Sequence, residues 1–388
     1  MGPFKQDLAQ IKQAELYRNL REMSSATGPR VIIDGKTVLL MASNDYLGFC
    51  SHPAIKKTAK DAISAWGTGA GASRLISGNN SLFRELEKQL ASLKKTEDAL
   101  TFSTGYMANI GLLSAVGEAE DVIYSDELNH ASIIDGCRMS RARVEIFPHK
   151  DTDRLAALLK QGHQFRRRII VTDGVFSMDG DIAPLPRLVE LARDHAAMII
   201  VDDAHATGVL GSRGGGTAEH FGLEGQCDIV MGTLGKALGC FGAFVAGSCE
   251  LRELLINRAR PFIFTTALPP AVVGSALEAL SLLDKEPEWR KALWENANFF
   301  KNGLRERGFS MHDSATPIIP IIVGEARRAV SISESLFQEG MFVQAIRPPT
   351  VPEGSSRLRI TVTAAHTKED LSWALGILEK VGKQHKVI

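Results

Sequence analysis

The sequence lacks a surplus of either charge: its 45 Lys and Arg are matched by 45 Asp and Glu, for a formal net charge of zero. A neutral chain has no electrostatic reason to seek nucleic acid or an anionic membrane surface. The triplet Arg166, Arg167 and Arg168 before an apolar run reads as a solvated loop face. Cysteine is scarce, and the five present (Cys50, Cys137, Cys227, Cys240 and Cys249) are an odd number without metal-ligand spacing. That usage predicts reduced thiols, no bound metal and a cytoplasmic setting. No apolar run approaches the roughly 18 residues a membrane span needs. The opening MGPFKQDLAQIKQAEL lacks the apolar centre of a signal peptide. Internal repeats and low-complexity stretches are missing too. What remains is an ordinary globular composition, 44% hydrophobic and 23% charged.

A chain of 388 residues is too long for one simple core. The expected division is an N-terminal arm with small strands (1–45), a large domain (46–284) and an α+β C-terminal domain (285–388). Within the arm, Leu8, Ile11, Leu16 and Leu20 recur at near-helical spacing, which predicts an amphipathic helix over 5–23 carrying Arg18 and Arg21. Residues 66–80, WGTGAGASRLISGNN, read as a flexible glycine-rich loop beside a ligand, because no strand–turn–helix frame surrounds the glycines. From residue 98 apolar runs alternate with helical patterns: ALTFS, DVIYS, VEIFPH, RIIVTDGVF, MIIVDDAH and DIVMGT are the strand candidates. Val- and Ile-rich runs without alternation, interleaved with helices, predict a mostly parallel sheet covered on both faces.

Ligands of such sheets bind at the carboxyl ends of the strands. The residues with chemistry to offer lie there. Gly105 and Tyr106 follow ALTFS, His130 follows DVIYS, Ser177 follows IIVTDGVF, Asp202 and His205 end MIIVDDAH, and Thr233 and Lys236 follow DIVMG. Lys236 is framed by Gly235 and Gly239 between two apolar runs, a setting that a solubility lysine does not need. Taken singly, Asp202 or Asp203 could merely cap the following helix, Asp173 reads as a turn cap, and His149 reads as a surface residue.

An aspartate, a histidine and a framed lysine in that order resemble the core of a fold-type I pyridoxal phosphate (PLP) enzyme. PLP needs an amine for covalent attachment, which Lys236 offers. It needs a carboxylate against the ring nitrogen, which Asp202 offers. Its phosphate needs donors, and Gly105 and Tyr106 open a helix beside the Thr233 hydroxyl. His130 is placed to stack on the ring, and His205 and Ser177 to donate to the phenolic oxygen.

SNDYLG, DGVFSMDGDIAPL, VDDAHATGVLG, TLGKALG, FTTALPP and RLRITVTAAH together resemble the α-oxoamine synthases, along nearly the whole chain. The resemblance implies a PLP-dependent transferase fold with a seven-stranded-type, mostly parallel sheet. It implies acyltransfer from an acyl-CoA to an amino acid with loss of CO2, in a cytoplasmic homodimer whose site lies between subunits. It makes Lys236, His130, Asp202 and His205 catalytic, with Gly105, Tyr106, Ser177 and Thr233 as further cofactor contacts and Thr265 and Thr266 reaching the partner's phosphate. Arg359, with Arg357 as its rival, is the expected carboxylate anchor, assisted by Asn44 and His130. The run AIRPPTVP around Thr350, and Ser73, favour L-alanine and a pimeloyl thioester (on CoA or a carrier protein) over glycine and acetyl-CoA. Arg18 is the expected partner of the distal acyl carboxylate, ahead of Arg21. A catalytically dead scaffold is disfavoured by the intact lysine, aspartate and histidines. A PLP-binding transcription regulator is disfavoured because no room remains for a DNA-binding domain.

Overall fold

The computed structural model describes residues 2–13, 16–312 and 314–388. A short antiparallel pair comes first, β1 (Arg30–Ile33) and β2 (Lys36–Leu40). Seven strands then build the central sheet: β3 (Asp98–Phe102), β4 (Val122–Asp126), β5 (Arg143–Phe147), β6 (Arg168–Asp173), β7 (Met198–Asp202), β8 (Ile229–Thr233) and β9 (Ala243–Gly247). Their spatial order is β3-β9-β8-β7-β6-β4-β5. Only β9 runs against its neighbours. The strands β3, β4 and β9 are buried along their whole length, because helices cover both faces and leave no face for polar residues.

A second sheet is made late in the chain by β10 (Ile318–Gly324), β12 (Gln344–Ile346) and β13 (Ser356–Thr361), in the order β10-β13-β12. Between them β11 (Met341–Phe342) pairs instead with β2. The run MFVQAI thus serves two sheets, and the single strand its composition suggests is broken at Val343. The helix Lys368–Gln384 closes this part on a capping box between Thr367 and Asp370.

The N-terminal helix is shorter than the apolar spacing predicts: it covers Lys5–Gln13 and buries no residue. Leu8 and Ile11 remain 47% and 40% exposed, and Leu20 wholly so. A lone turn or two of helix with nothing to pack on has little to hold it. From residue 16 to 22 the backbone is non-helical, tied down through Arg21 to Asp34 (3.0 Å) and Glu334 (2.5 Å). Among the described residues no helix is long and apolar enough to cross a membrane.

Candidate active site

Strand register assembles the site. Asp173 on β6 lies opposite Asp202 on β7, and Asp202 opposite Met231 on β8. Side chains two apart along a strand share a face, so Thr233 follows Met231 onto the same side. Helix Gly105–Val116 points its N-terminus at this group. The Thr104 hydroxyl accepts from Met107 N (3.1 Å) and the Thr104 carbonyl from Ala108 N (2.9 Å). The N–H groups of Gly105 and Tyr106 have no intrahelical acceptor. A Cβ on Gly105 would sit 2.8 Å from Thr233 Cγ2, so glycine alone lets the helix end approach β8 this closely.

A cavity of about 240 Å³ results, lined by Gly105, Tyr106, His130, Asp173, Ser177, Asp202, His205, Thr233 and Lys236 among others. The Lys236 amine makes no hydrogen bond or ion pair among the described residues. Burial pushes its pKa down to about 8, against the opposing pull of Asp202 and Asp173. The loop after it is pinned at Gly239 (φ +62°), where a Cβ would meet Cys50 N at 2.4 Å. Asp202 accepts from Ala204 N (2.9 Å) and Asn109 Nδ2 (2.7 Å), which leaves lone pairs facing the cavity. Asn109 also donates to the Ser132 hydroxyl (2.9 Å), which bonds His130 Nδ1 (2.7 Å) and fixes the His130 ring. Burial lowers the His130 pKa, opposed by Asp202 and assisted by Lys236.

Arg359 and Asn44 do not line the cavity themselves and meet it at Ser177. Arg359 on β13 donates from Nε to the Ser177 carbonyl (2.5 Å) and from Nη2 to Asn44 Oδ1 (3.1 Å). Its rival Arg357 is held by the Asp179 carboxylate. Asp203, next to Asp202 in sequence, is turned away into an ion pair with buried Lys94 (2.8 Å) and a bond from the Thr217 hydroxyl (2.6 Å). Of each pair, Asp203 and Arg357 are the members held in an ion pair.

The sequence model of one family, aminotransferase class I and II, matches residues 36–378. The chain belongs to that family. The 8-amino-7-oxononanoate synthase of Thermoanaerobacter pseudethanolicus is 52% identical over 385 residues, which cover 99% of this chain and 98% of the relative. The enzyme of that name from Geobacter sulfurreducens is 50% identical, with 98% of each chain covered. Among solved structures, a serine palmitoyltransferase from S. paucimobilis with bound PLP superimposes with a TM-score of 0.94 at 32% identity, over 99% of this chain and 98% of that one. Within the class I and II aminotransferases the resemblance to α-oxoamine synthases read from the motifs holds, and so does the fold-type I architecture.

The other candidates do not line this cavity. Thr265 and Thr266 face a narrow cleft with Arg74 and Phe102. Ser73 precedes a single π-helical turn, Arg74–Gly78. That turn is anchored and does not act as a free loop beside the ligand: Arg74 is paired with buried Glu87 and donates to Thr101 Oγ1 (3.0 Å) and Asn79 Oδ1 (2.9 Å). Arg18 and Thr350 are exposed and away from the cavity. Their segments are nevertheless joined, since Arg347 Nη2 donates to the Tyr17 carbonyl (2.6 Å) and Thr350 N to the Arg347 carbonyl (3.1 Å).

Several site residues escape the sequence reading. Asp173 is no turn cap: it lines the cavity and accepts from His130 N (2.7 Å), with its pKa raised well above the carboxylate range by burial and by Asp202. It ends its strand as Asp202 does, and that shared position was the available signal. Asn109 lies one helical turn beyond Gly105, and Tyr46 sits inside SNDYLG. His149 lies outside the cavity and is half-buried, not simply solvated. It bridges Asp126 and Asp181 at 3.0 Å each and packs edge-on against Phe176. Burial alone would lower its pKa, but the two carboxylates hold it up to about 9.

The pKa of Lys236 gives a measurable consequence. Only the neutral amine attacks an aldehyde, so a lowered pKa extends the reactive range downward. Covalent capture of an aldehyde cofactor by cofactor-free protein should speed up about tenfold per pH unit below pH 8 and level off above it. Stopped-flow absorbance checks this. A rise continuing past pH 10, as for an ordinary lysine, would contradict the burial argument.

Proposed function

We propose that the protein is a PLP-dependent acyltransferase that condenses L-alanine with a pimeloyl thioester, releasing 8-amino-7-oxononanoate, CO2 and free thiol for biotin synthesis. The observation that carries the reading is the convergence in one cavity of an unengaged lysine amine, a helix N-terminus with open N–H groups, and a buried carboxylate, with an arginine bonded to the Ser177 carbonyl of its wall. Relatives of the same length at about half identity bear that enzyme's name.

The residues fit PLP. Gly105, Tyr106 and Thr233 offer donors to its phosphate, Asp202 an acceptor to its ring nitrogen, His205 and Ser177 donors to its phenolic oxygen, and His130 a ring to lie against it. When bound, PLP supplies an electron sink for bonds at the α-carbon of an amino acid. Arg359, assisted by Asn44, holds the carboxylate of alanine and so orients its α-C–H bond. Lys236 Nζ takes the α-proton and later returns one to the same carbon. The cavity wall of Asp173, His130 and Met231 keeps bulk water from that proton. Arg18 and Thr350 serve the distal acyl end in this reading, supported by their joined segments and by the engagement of Arg21 elsewhere.

The active unit is a homodimer in this proposal. Thr265, Thr266 and Ser73 stand outside the chain's own cavity, beside Ile76 and Phe264, which are 81% and 71% exposed. Large apolar side chains left this bare favour a covering partner. The division 1–45, 46–284 and 285–388 is proposed on the sheets: the central one uses strands between Asp98 and Gly247, and β10, β12 and β13 form their own.

Arg359→Ala should raise the KM for alanine by roughly 30- to 100-fold, the scale of a lost charge-assisted bond of ~2–3 kcal/mol, and leave the KM for the thioester nearly unchanged. Equal effects on both would remove Arg359 from the amino-acid subsite. The reading as a whole is tested with purified protein. L-alanine plus pimeloyl-CoA should outpace glycine plus acetyl-CoA at least ~10-fold, the low end of what a methyl-sized pocket difference gives. A preference for glycine would name a different member of the family.

A further inference from the structure

His205 lines the cavity, and its ring is held from behind. Tyr46 and His205 are 1% and 7% exposed, and their polar atoms meet at 2.7 Å, Tyr46 Oη to His205 Nδ1. The rings lie edge-on, with centroids 6.1 Å apart. A buried phenol and a buried imidazole each need a partner, and this contact satisfies both.

The hydroxyl's own proton decides which of the two donates. Among the described residues His205 Nδ1 is the hydrogen-bond partner of Tyr46 Oη, so a donating Nδ1 would leave the buried hydroxyl hydrogen without an acceptor. That hydrogen stays on the phenol, whose pKa burial pushes up to about 12 against the opposing charge of Arg359. The hydroxyl therefore donates to His205 Nδ1. His205 itself stays neutral: burial first, then the charges of Lys236, Arg359 and His130, push its pKa well below the ordinary value. A neutral imidazole whose Nδ1 accepts carries its single proton on Nε2.

We propose that Tyr46 is a positioning residue that fixes His205 in the Nε2–H tautomer and aims that N–H into the cavity, at the phenolic oxygen of the cofactor. The inference rests on the PLP reading of the site. Loss of the hydroxyl frees His205 to populate both tautomers, and only one of them donates to the cofactor. A donor at that oxygen favours its anionic form, so weakening it makes the linked cofactor harder to deprotonate.

The test is a pH titration of the visible cofactor band in the wild-type holoenzyme and in Tyr46→Phe, which keeps the ring and removes the hydroxyl. The midpoint should rise by roughly one pH unit, with kcat reduced ~10-fold, as for the loss of other orienting partners. Identical midpoints would overturn the role of Tyr46 and leave the PLP reading standing. A wild-type protein with no visible band would overturn that reading instead. Nitrogen-15 NMR of the histidine-labelled holoenzyme, with His205 assigned through His205→Gln, gives a second measurement independent of how Tyr46→Phe folds. It should show a pyrrole-type Nε2 and a pyridine-type Nδ1 at His205; the reverse pattern would refute the assignment.

Discussion

Lys236→Ala should leave a folded protein that no longer turns over and no longer shows the visible absorption of a lysine-linked cofactor. The amine is the covalent attachment and also the base that works at the α-carbon, so one truncation removes both roles. Proton transfer by a placed base is worth about 10²–10⁴-fold, and loss of the attachment adds to that. Folding should be spared. The Lys236 amine has no partner among the described residues, and burial already works against its charge, with the pKa pushed down to about 8. Removing it discards a group whose desolvation outweighs the attraction of Asp202 and Asp173. The variant should therefore melt at or slightly above the wild-type temperature, while PLP added to it gives only the spectrum of free aldehyde. A variant that keeps both the band and the turnover would show that another lysine does the work.

Asp202→Asn should cost at least about two orders of magnitude in the rate of α-proton removal, equivalent to ~3 kcal/mol or more for a lost buried charge partner. The side chain keeps its shape but loses the charge that holds the ring nitrogen protonated. Its two present contacts, Ala204 N and Asn109 Nδ2, are both donors. A carboxamide can accept from one through its oxygen and must turn an NH2 toward the other. The substitution therefore strips the ring partner and disturbs the scaffold that links Asp202 through Asn109 and Ser132 to His130. Alanine binding should change far less, because Arg359 and Asn44 are untouched. Exchange of the alanine α-proton with deuterated solvent, followed by NMR, isolates that step. Unimpaired exchange would remove Asp202 from the role.

By itself the sequence determined the sheet and the line of residues along its carboxyl edge. Strand runs of Val and Ile carry the same meaning wherever they pack, and Gly105, Asp202, Thr233 and Lys236 follow such runs directly. Local spacing was enough for them because a parallel sheet has only one place to put the residues that follow its strands. It was not enough for choices between neighbours. Asp202 and Asp203 are adjacent in sequence, and only the buried Lys94 shows which of them is taken up by the core. Arg357 and Arg359 share a strand face, and only Asp179 shows which one is already neutralised. His149 and Tyr46 gave no sign of their partners, since each is engaged by a segment distant in the chain: Asp181 beyond one strand, His205 beyond five. The N-terminal helix fell short for the converse reason. Its apolar spacing was real, but the fold offers that stripe nothing to bury it against, and a helix that buries nothing has only its own backbone bonds to keep it formed.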